Sequence, residues 1–318
     1  MKLRSGANAA KSSTATATTG TAEVPGAGRY VGRFAPSPTG ELHLGSLYTA
    51  AASYLDARAH GGHWLLRVED LDPPRVVPGS ADGILRTLNR FGFEWDGEVV
   101  RQGERTDRYA AALDRLHARG LTFQCSCSRL RSAEDERYPG HCRNGPLRPG
   151  SPCSTRVRVD QAVIQFKDRI QGVFRQDVAA AVGDILVRRR DQLFAYVLAV
   201  VVDDAAQGVT HVVRGADLLD NTPRQIHLQR LLGLAAPDYA HVPLLTESDG
   251  RKLAKSSRSV QLDGGTPLPL IIKVFELLDL SPPPEIEEAT IPEAWKWATA
   301  RWNIDRVPKR LASRLEPA

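Results

Sequence analysis

The sequence predicts an α/β fold built on a Rossmann-like parallel sheet. Two short apolar segments, Tyr30 to Ala35 and Gly62 to Val68, have the composition of buried strands. The segment between them, Leu47 to Ala59, is rich in Ala, Leu and Tyr, contains neither Gly nor Pro, and is typical of a helix. Because a strand, a helix and a second strand in this order form a parallel unit, ligands are expected at the carboxyl ends of the strands.

Length and composition indicate a globular protein. The length of 318 residues is enough for one large or two ordinary domains. The composition, 42% hydrophobic and 25% charged, is that of a globular protein. No apolar run approaches the roughly 20 residues that span a bilayer, so we expect no membrane segment and a cytoplasmic protein. The net charge is +5, but the first 30 residues hold four bases and one acid. Any RNA site must therefore be a local patch.

The first 28 residues are mostly Ala, Thr, Ser and Gly. Such a segment buries too little apolar surface to order itself, and we predict a disordered tail. A transit peptide is the alternative for this basic, acid-poor composition.

A sharp turn follows the first strand, where Pro36, Pro38 and Gly40 restrict the backbone. The turn leads into a helix, and the free N–H groups at a helix N-terminus form an anion site. His43 can donate a ring N–H to a phosphate oxygen, and Gly45 permits close approach of a large ligand. The glycine spacing matches neither the dinucleotide motif nor the P-loop.

Two separated motifs carry a family resemblance. His43-Leu44-Gly45-Ser46 resembles the HIGH motif of class I aminoacyl-tRNA synthetases, and the preceding run from Arg33 to Gly40 resembles the glutamate and glutamine branch. Further along, Lys252-Leu253-Ala254-Lys255-Ser256 resembles the KMSKS loop of that class, with both lysines kept. Seen alone, this loop reads as an exposed basic segment. The order and separation of the two motifs are those of class I enzymes.

The resemblance implies that the protein is a ligase that activates L-glutamate with ATP to form glutamyl-adenylate, with Mg²⁺ accompanying the nucleotide. It assigns catalysis to His43, Lys252 and Lys255. It assigns ATP binding to Pro36, Thr39, Gly40, His43, Gly45, Ser46 and Lys255. It assigns glutamate binding to Arg33, Phe34, Ala35, Pro36, Ser37, Glu69, Tyr196 and Arg214.

Two of the glutamate-binding residues have an independent rationale. Glu69 follows the second strand, where a carboxylate can bind a substrate ammonium group; the alternative is that Glu69, Asp70 and Asp72 cap the next turn. Arg214 lies in a strand-like segment, Val209 to Leu219, and a guanidinium can bind a carboxylate through two hydrogen bonds.

All four cysteines lie between Cys125 and Cys153, which predicts one structural zinc site and not a disulfide framework. Spacing favours Cys125, Cys127 and Cys142, with His141 or Cys153 as the fourth ligand. The resemblance to glutamyl-queuosine synthetases instead implies that the Tyr138 phenol completes the site. Buried reduced thiols without metal are the alternative.

The other elements follow from local pattern. We predict helices over Ser80 to Phe91 and Arg105 to Arg119, with Ser80 and Thr106 as N-caps, and a helix over Thr222 to Leu232. Further predictions are antiparallel strands within Arg156 to Phe174, strands at Asp184 to Val187 and Val242 to Leu245, a buried element at Leu193 to Val202, and a helix bearing Trp295, Trp297 and Trp302.

We predict five regions: a tail (1–28), the first half of the catalytic domain (29–120), an inserted zinc-binding subdomain (121–183), the second half with the KMSKS-like loop (184–258) and a short helical C-terminal region (259–318). The last region leaves no room for an anticodon-reading domain.

Together with the cysteine and tyrosine spacing, this brevity resembles the glutamyl-queuosine synthetases. That family transfers glutamate to queuosine in the anticodon loop of tRNA(Asp), so the anticodon arm is the implied partner of a monomeric protein. The alternatives are a compact glutamyl-tRNA synthetase that charges the 3′ end and a non-catalytic tRNA-binding paralogue.

Overall fold

The structure, a computed structural model, describes residues 29–127, 137–247, 262 and 266–314. Lys252 and Lys255 lie outside these residues, so their catalytic roles stay predictions. The strands are β1 (Val31–Phe34), β2 (His63–Val68), β3 (Val100–Arg101), β4 (Thr122–Cys125), β5 (Ser154–Val157), β6 (Val163–Asp168), β7 (Gly172–Asp177), β8 (Ile185–Arg188), β9 (His211–Gly215), β10 (Asp238–Val242), β11 (Leu244–Thr246) and β12 (Ala312–Arg314). The helices are α1 (Leu44–Ala59), α2 (Ser80–Arg90), α3 (Thr106–Ala118), α4 (Val178–Ala181), α5 (Tyr196–Ala206), α6 (Thr222–Leu232), α7 (Pro267–Leu277) and α8 (Ile291–Arg301).

The predicted parallel sheet is confirmed. β1 pairs in parallel with β2, which pairs in parallel with β3, and β9 pairs in parallel with β10. The two groups of strands meet where the Thr210 N–H donates to the Val31 carbonyl oxygen over 2.9 Å. β1, β2 and β9 thus end close together and can contribute side chains to one site.

Helix α1 lies in the core and not on the surface. Its alanines Ala50, Ala51, Ala52 and Ala57 are fully buried, and it contacts β1, β9, α7 and α8. Small side chains allow this close approach on several sides of the helix. Tyr54 of α1 forms an aromatic cluster with Trp64, Phe93 and Trp295.

The middle of the chain forms separate antiparallel structure. β4, β5 and β8 make one antiparallel sheet, and β6 and β7 form a hairpin. The antiparallel strands predicted within Arg156 to Phe174 are confirmed in kind, with bounds shifted by a few residues.

Some local predictions are wrong. Ser80 and Thr106 are the first residues of α2 and α3 and not their N-caps, which are Gly79 and Arg105. The sequence reasoning did not identify α7, a helix that begins with Pro267. Among the described residues no helix is both long and apolar enough to cross a membrane.

Candidate active site

A cavity of about 750 Å³ opens at the carboxyl ends of β1, β2 and β9. It brings together all the predicted glutamate-binding and ATP-binding residues within the described part of the chain. These lining residues are Arg33, Phe34, Ala35, Pro36, Ser37, Thr39, Gly40, His43, Gly45, Ser46, Glu69, Tyr196 and Arg214. The individual ligand contacts assigned to them stay predictions.

His43 is the N-cap of α1, and its Nδ1 accepts from the Ser46 N–H over 3.3 Å. In the neutral ring the proton is therefore on Nε2, which makes Nε2 a hydrogen-bond donor. Gly45 has a packing role beside this ring: a Cβ atom there would lie 3.0 Å from His43 Cε1. The glycine thus allows the imidazole to fold back over the first turn of the helix.

Hydrogen bonds from neighbouring elements hold the turn before His43 in place. The backbone of Gly40 has φ 128°, a conformation that favours glycine. Its N–H donates to Ser80 Oγ over 3.1 Å, and the Ser80 hydroxyl donates to the Gly40 carbonyl over 2.7 Å. The Glu69 N–H donates to the Pro36 carbonyl over 3.0 Å and ties the turn to the end of β2.

A buried charge cluster lies beneath the cavity. Asp204 Oδ1 accepts from Arg33 Nε over 3.2 Å and from an Arg67 guanidinium nitrogen over 2.8 Å. The same Arg67 nitrogen lies 3.4 Å from Glu69 Oε1. Burial alone would raise the pKa of Asp204, but the two guanidinium groups lower it. Burial raises the pKa of Glu69, against the effect of Arg67 and Arg33. Arg33 is thus held by an internal carboxylate before any ligand binds.

Asp203, the neighbour of Asp204 on α5, anchors the end of β3. Its carboxylate accepts from Gln102 Nε2 over 2.8 Å, from Arg105 Nε over 2.6 Å and from the Tyr109 hydroxyl over 2.6 Å. Sequence reasoning missed both aspartates, because they end a run of apolar residues. Two adjacent acids within a buried helix were the available signal.

Arg214 has different surroundings. Its Nε lies 3.0 Å from His241 Nε2, and one terminal nitrogen lies 2.8 Å from Thr222 Oγ1. Its other terminal nitrogen, Nη1, is buried and has no hydrogen-bond partner among the residues that the structure describes. Tyr196 lies near the Glu69 carboxylate and the Arg214 guanidinium. Burial, together with the Glu69 carboxylate, raises the pKa of its phenol. Of the two buried arginines that line the cavity, Arg33 and Arg214, only Arg33 has a carboxylate partner among the described residues.

The three predicted cysteine ligands come together away from the cavity. The sulfur atoms of Cys125, Cys127 and Cys142 lie within 4.8 Å of one another. The Tyr138 hydroxyl lies 3.3 Å from Cys125 Sγ and accepts from the Cys142 N–H over 3.0 Å. These separations fit a tetrahedral zinc ion, for which sulfur atoms are about 3.8 Å apart. His141 is exposed and outside the cluster, and Cys153 Sγ contacts the Ser151 carbonyl.

The thiols differ in acidity. Burial and hydrogen bonds with Cys142 and Cys125 raise the pKa of Cys127 to about 11. Burial would also raise the pKa of Cys142, but backbone N–H donors, Leu147 first, lower it to about 6. Arg190 supports this loop by donating to the carbonyls of Ser126 and Cys127. The lowered pKa of Cys142 favours its thiolate form, which is the form that binds a metal.

Comparison with known proteins shows the family of this chain. The family described as "tRNA synthetases class I (E and Q), catalytic domain" matches residues 30–266. The Glutamyl-Q tRNA(Asp) synthetase of Ectopseudomonas mendocina is 54% identical over 281 residues, which cover 88% of this chain and 95% of that protein. The Glutamyl-Q tRNA(Asp) synthetase of Pseudomonas fluorescens is 50% identical over 285 residues, or 89% of this chain and 95% of that protein. The chain belongs to the glutamyl-Q tRNA(Asp) synthetase family.

The fold agrees with that family assignment. The crystal structure of a glutamate-tRNA synthetase from Elizabethkingia anophelis superposes with a TM-score of 0.75 at 24% identity, covering 91% of this chain and 68% of that one. This likeness is one of fold. The predicted resemblance to the class I aminoacyl-tRNA synthetases is confirmed by the family match over residues 30–266.

Proposed function

We propose that this protein activates L-glutamate with ATP and transfers the glutamyl group to queuosine in the anticodon loop of tRNA(Asp). The observation that carries the proposal is buried Arg214, whose Nη1 has no hydrogen-bond partner in the described ranges, in a cavity that also contains the helix N-terminus at His43. The family membership supports the same reaction.

Glutamate has two carboxylates and one ammonium group, and the cavity offers partners for all three. Glu69 would bind the ammonium group. Arg214 would bind the side-chain carboxylate, because no carboxylate of the described residues lies within ion-pair distance of it, whereas Arg33 is held by Asp204. The α-carboxylate would then lie toward the turn before His43, where the nucleotide phosphates are expected.

The α-carboxylate attacks the α-phosphorus of ATP, and pyrophosphate leaves. Negative charge gathers on the phosphoryl oxygens, so catalysis is mostly positioning and electrostatic stabilisation. His43 Nε2–H and the N–H groups at the start of α1 would donate to these oxygens. Lys252 and Lys255 would bind the departing pyrophosphate, and Mg²⁺ would offset charge on the triphosphate when bound with it.

Zinc would have a structural role in this protein. Its ligands would be Cys125, Cys127, Tyr138 and Cys142. The ion would cross-link the end of β4 to residues 138–142 of the connection between β4 and β5. The anticodon arm as RNA partner, the monomeric state and the cytoplasmic location remain predictions.

Glutamate-dependent exchange between ATP and labelled pyrophosphate tests the activation step. It is measured with and without tRNA(Asp), and with glutamate, glutamine or aspartate. We expect exchange with glutamate only, and a rate about 10²–10³ lower for Lys255→Ala. No exchange with any amino acid, with or without RNA, would overturn the proposal in favour of a non-catalytic tRNA-binding protein.

A further inference from the structure

Arg214 is fixed by acceptors that carry no charge. β9 and β10 pair in register so that Arg214 and His241 are neighbours across the two strands. Arg214 donates from Nε to His241 Nε2 over 3.0 Å and from a terminal nitrogen to Thr222 Oγ1 over 2.8 Å. In the described part of the chain, the other two buried arginines near the cavity, Arg33 and Arg67, are instead paired with Asp204. No carboxylate of the described residues thus pairs directly with the charge of Arg214.

His241 is itself held by a carboxylate behind it. His241 Nδ1 lies 2.5 Å from Asp168 Oδ2, and both side chains are fully buried. The other oxygen of Asp168, Oδ1, accepts backbone N–H groups from Ile170 over 3.0 Å, from Gln171 over 2.8 Å and from His241 over 3.1 Å. Three backbone donors on one oxygen fix which oxygen faces the imidazole.

This arrangement determines which ring nitrogen of His241 carries the proton. The ionised Asp168 only accepts, so Nδ1 carries the proton, and Nε2 must have its lone pair toward the Arg214 N–H. Burial lowers the pKa of His241 to about 4, so the ring stays neutral near neutral pH. A protonated ring would present a donor to the guanidinium and repel it.

We propose that Asp168 and His241 are positioning residues for glutamate selection, which fix Arg214 and leave its charge for the substrate's side-chain carboxylate. Neither residue needs to touch the substrate. The inference rests on the proposed function, because it concerns how the same cavity distinguishes glutamate from glutamine. A direct carboxylate partner would hold Arg214 equally well but would weaken its attraction for an anionic side chain.

Asp168→Asn tests the positioning with little change in size. The asparagine oxygen remains at the three backbone donors, so its amide NH₂ faces His241 Nδ1 and drives the imidazole proton to Nε2. Nε2 then opposes the Arg214 N–H, donor against donor. We expect the KM for glutamate to rise about tenfold to a hundredfold, the KM for ATP to stay within about twofold, and the preference for glutamate over glutamine to fall.

His63→Gln is the matched control, because His63 also faces a carboxylate, Asp96 at 3.4 Å, at the opposite end of β2. We expect it to leave both KM values unchanged. His241→Leu, which removes the acceptor altogether, provides a second variant and is expected to raise the KM for glutamate as well. Thermal unfolding checks that each variant is folded.

The ¹⁵N resonances of the His241 ring show which nitrogen bears the proton, independently of activity. We expect Nδ1–H in the wild-type protein and Nε2–H in Asp168→Asn. An unchanged KM for glutamate in folded Asp168→Asn, or Nε2–H in the wild-type protein, would overturn the inference. The wild-type protein could instead show the expected proton shift in Asp168→Asn but no ATP–pyrophosphate exchange. That result would overturn the proposed function and leave the positioning of Arg214 by His241 intact.

Discussion

A Cβ atom on Gly45 would lie 3.0 Å from Cε1 and 3.1 Å from Nδ1 of His43. The third residue of the His43-Leu44-Gly45-Ser46 motif is thus glycine because the first residue folds back over it. The close contact is between a backbone position and a ring that has a predicted catalytic role.

Gly45→Ala is therefore expected to separate activity from stability. Alanine favours the helix by up to about 1 kcal/mol, and loss of the His43 N-cap costs about as much, so the free energy of unfolding should change little. The added methyl group displaces the His43 ring, and we expect exchange activity to fall about tenfold to a hundredfold. Gly83→Ala in α2 is the control, since its Cβ would meet only Arg86 at 3.8 Å. Equal activity in the two variants would contradict the account.

Asp204→Asn should destabilise the protein strongly. The substitution removes the charge that holds two buried guanidinium groups, of Arg33 and Arg67. Breaking a buried ion pair typically costs about 3–5 kcal/mol, and chemical denaturation measures this loss. Asp191→Asn is the control: Asp191 is exposed and its partner Arg189, which is half-buried, also pairs with Asp72, and no measurable change is expected.

The lowered pKa of His241 predicts a pH dependence of stability. Between pH 6.5 and about 4 the unfolded chain binds a proton at His241 that the folded protein does not. Stability therefore falls as the pH falls through this window, with a limiting slope of about 1.4 kcal/mol per pH unit. The slope should be smaller by up to that amount in His241→Gln. Parallel curves for the two proteins, measured by denaturation from pH 7 to pH 5, would show that His241 ionises normally.

Tyr138→Phe identifies the fourth ligand of the predicted zinc site. We expect the wild-type protein to bind one zinc ion and Tyr138→Phe to lose it at lower chelator concentrations, because the phenol oxygen is adjacent to Cys125 and Cys142. Cys153→Ser and His141→Ala should retain the metal as the wild-type protein does. Metal analysis after chelator titration decides between these ligands, and early loss in Cys153→Ser would assign the position to Cys153.

The sequence predicted best what depends on neighbouring residues. The strand, turn and helix around His43 follow from local pattern. The structure brings the described glutamate- and ATP-binding candidates to one cavity and three of the cysteines to a separate cluster. The chain of contacts behind Arg214 could not be predicted, because His241 lies 27 residues from Arg214 and 73 residues from Asp168 along the sequence. The Ser80 N-cap prediction failed for a related reason. Serine is a common N-cap residue, but the Ser80 hydroxyl donates its hydrogen bond to the carbonyl of Gly40, 40 residues away.

The location of transferred glutamate tests the central claim most directly. Radiolabelled glutamate and ATP are supplied with tRNA(Asp) that contains or lacks queuosine, and the terminal adenosine is then removed. The account predicts label only on the queuosine-containing RNA, and its retention after the 3′ end is removed. Label that leaves with the terminal adenosine, or equal labelling of RNA without queuosine, would contradict it.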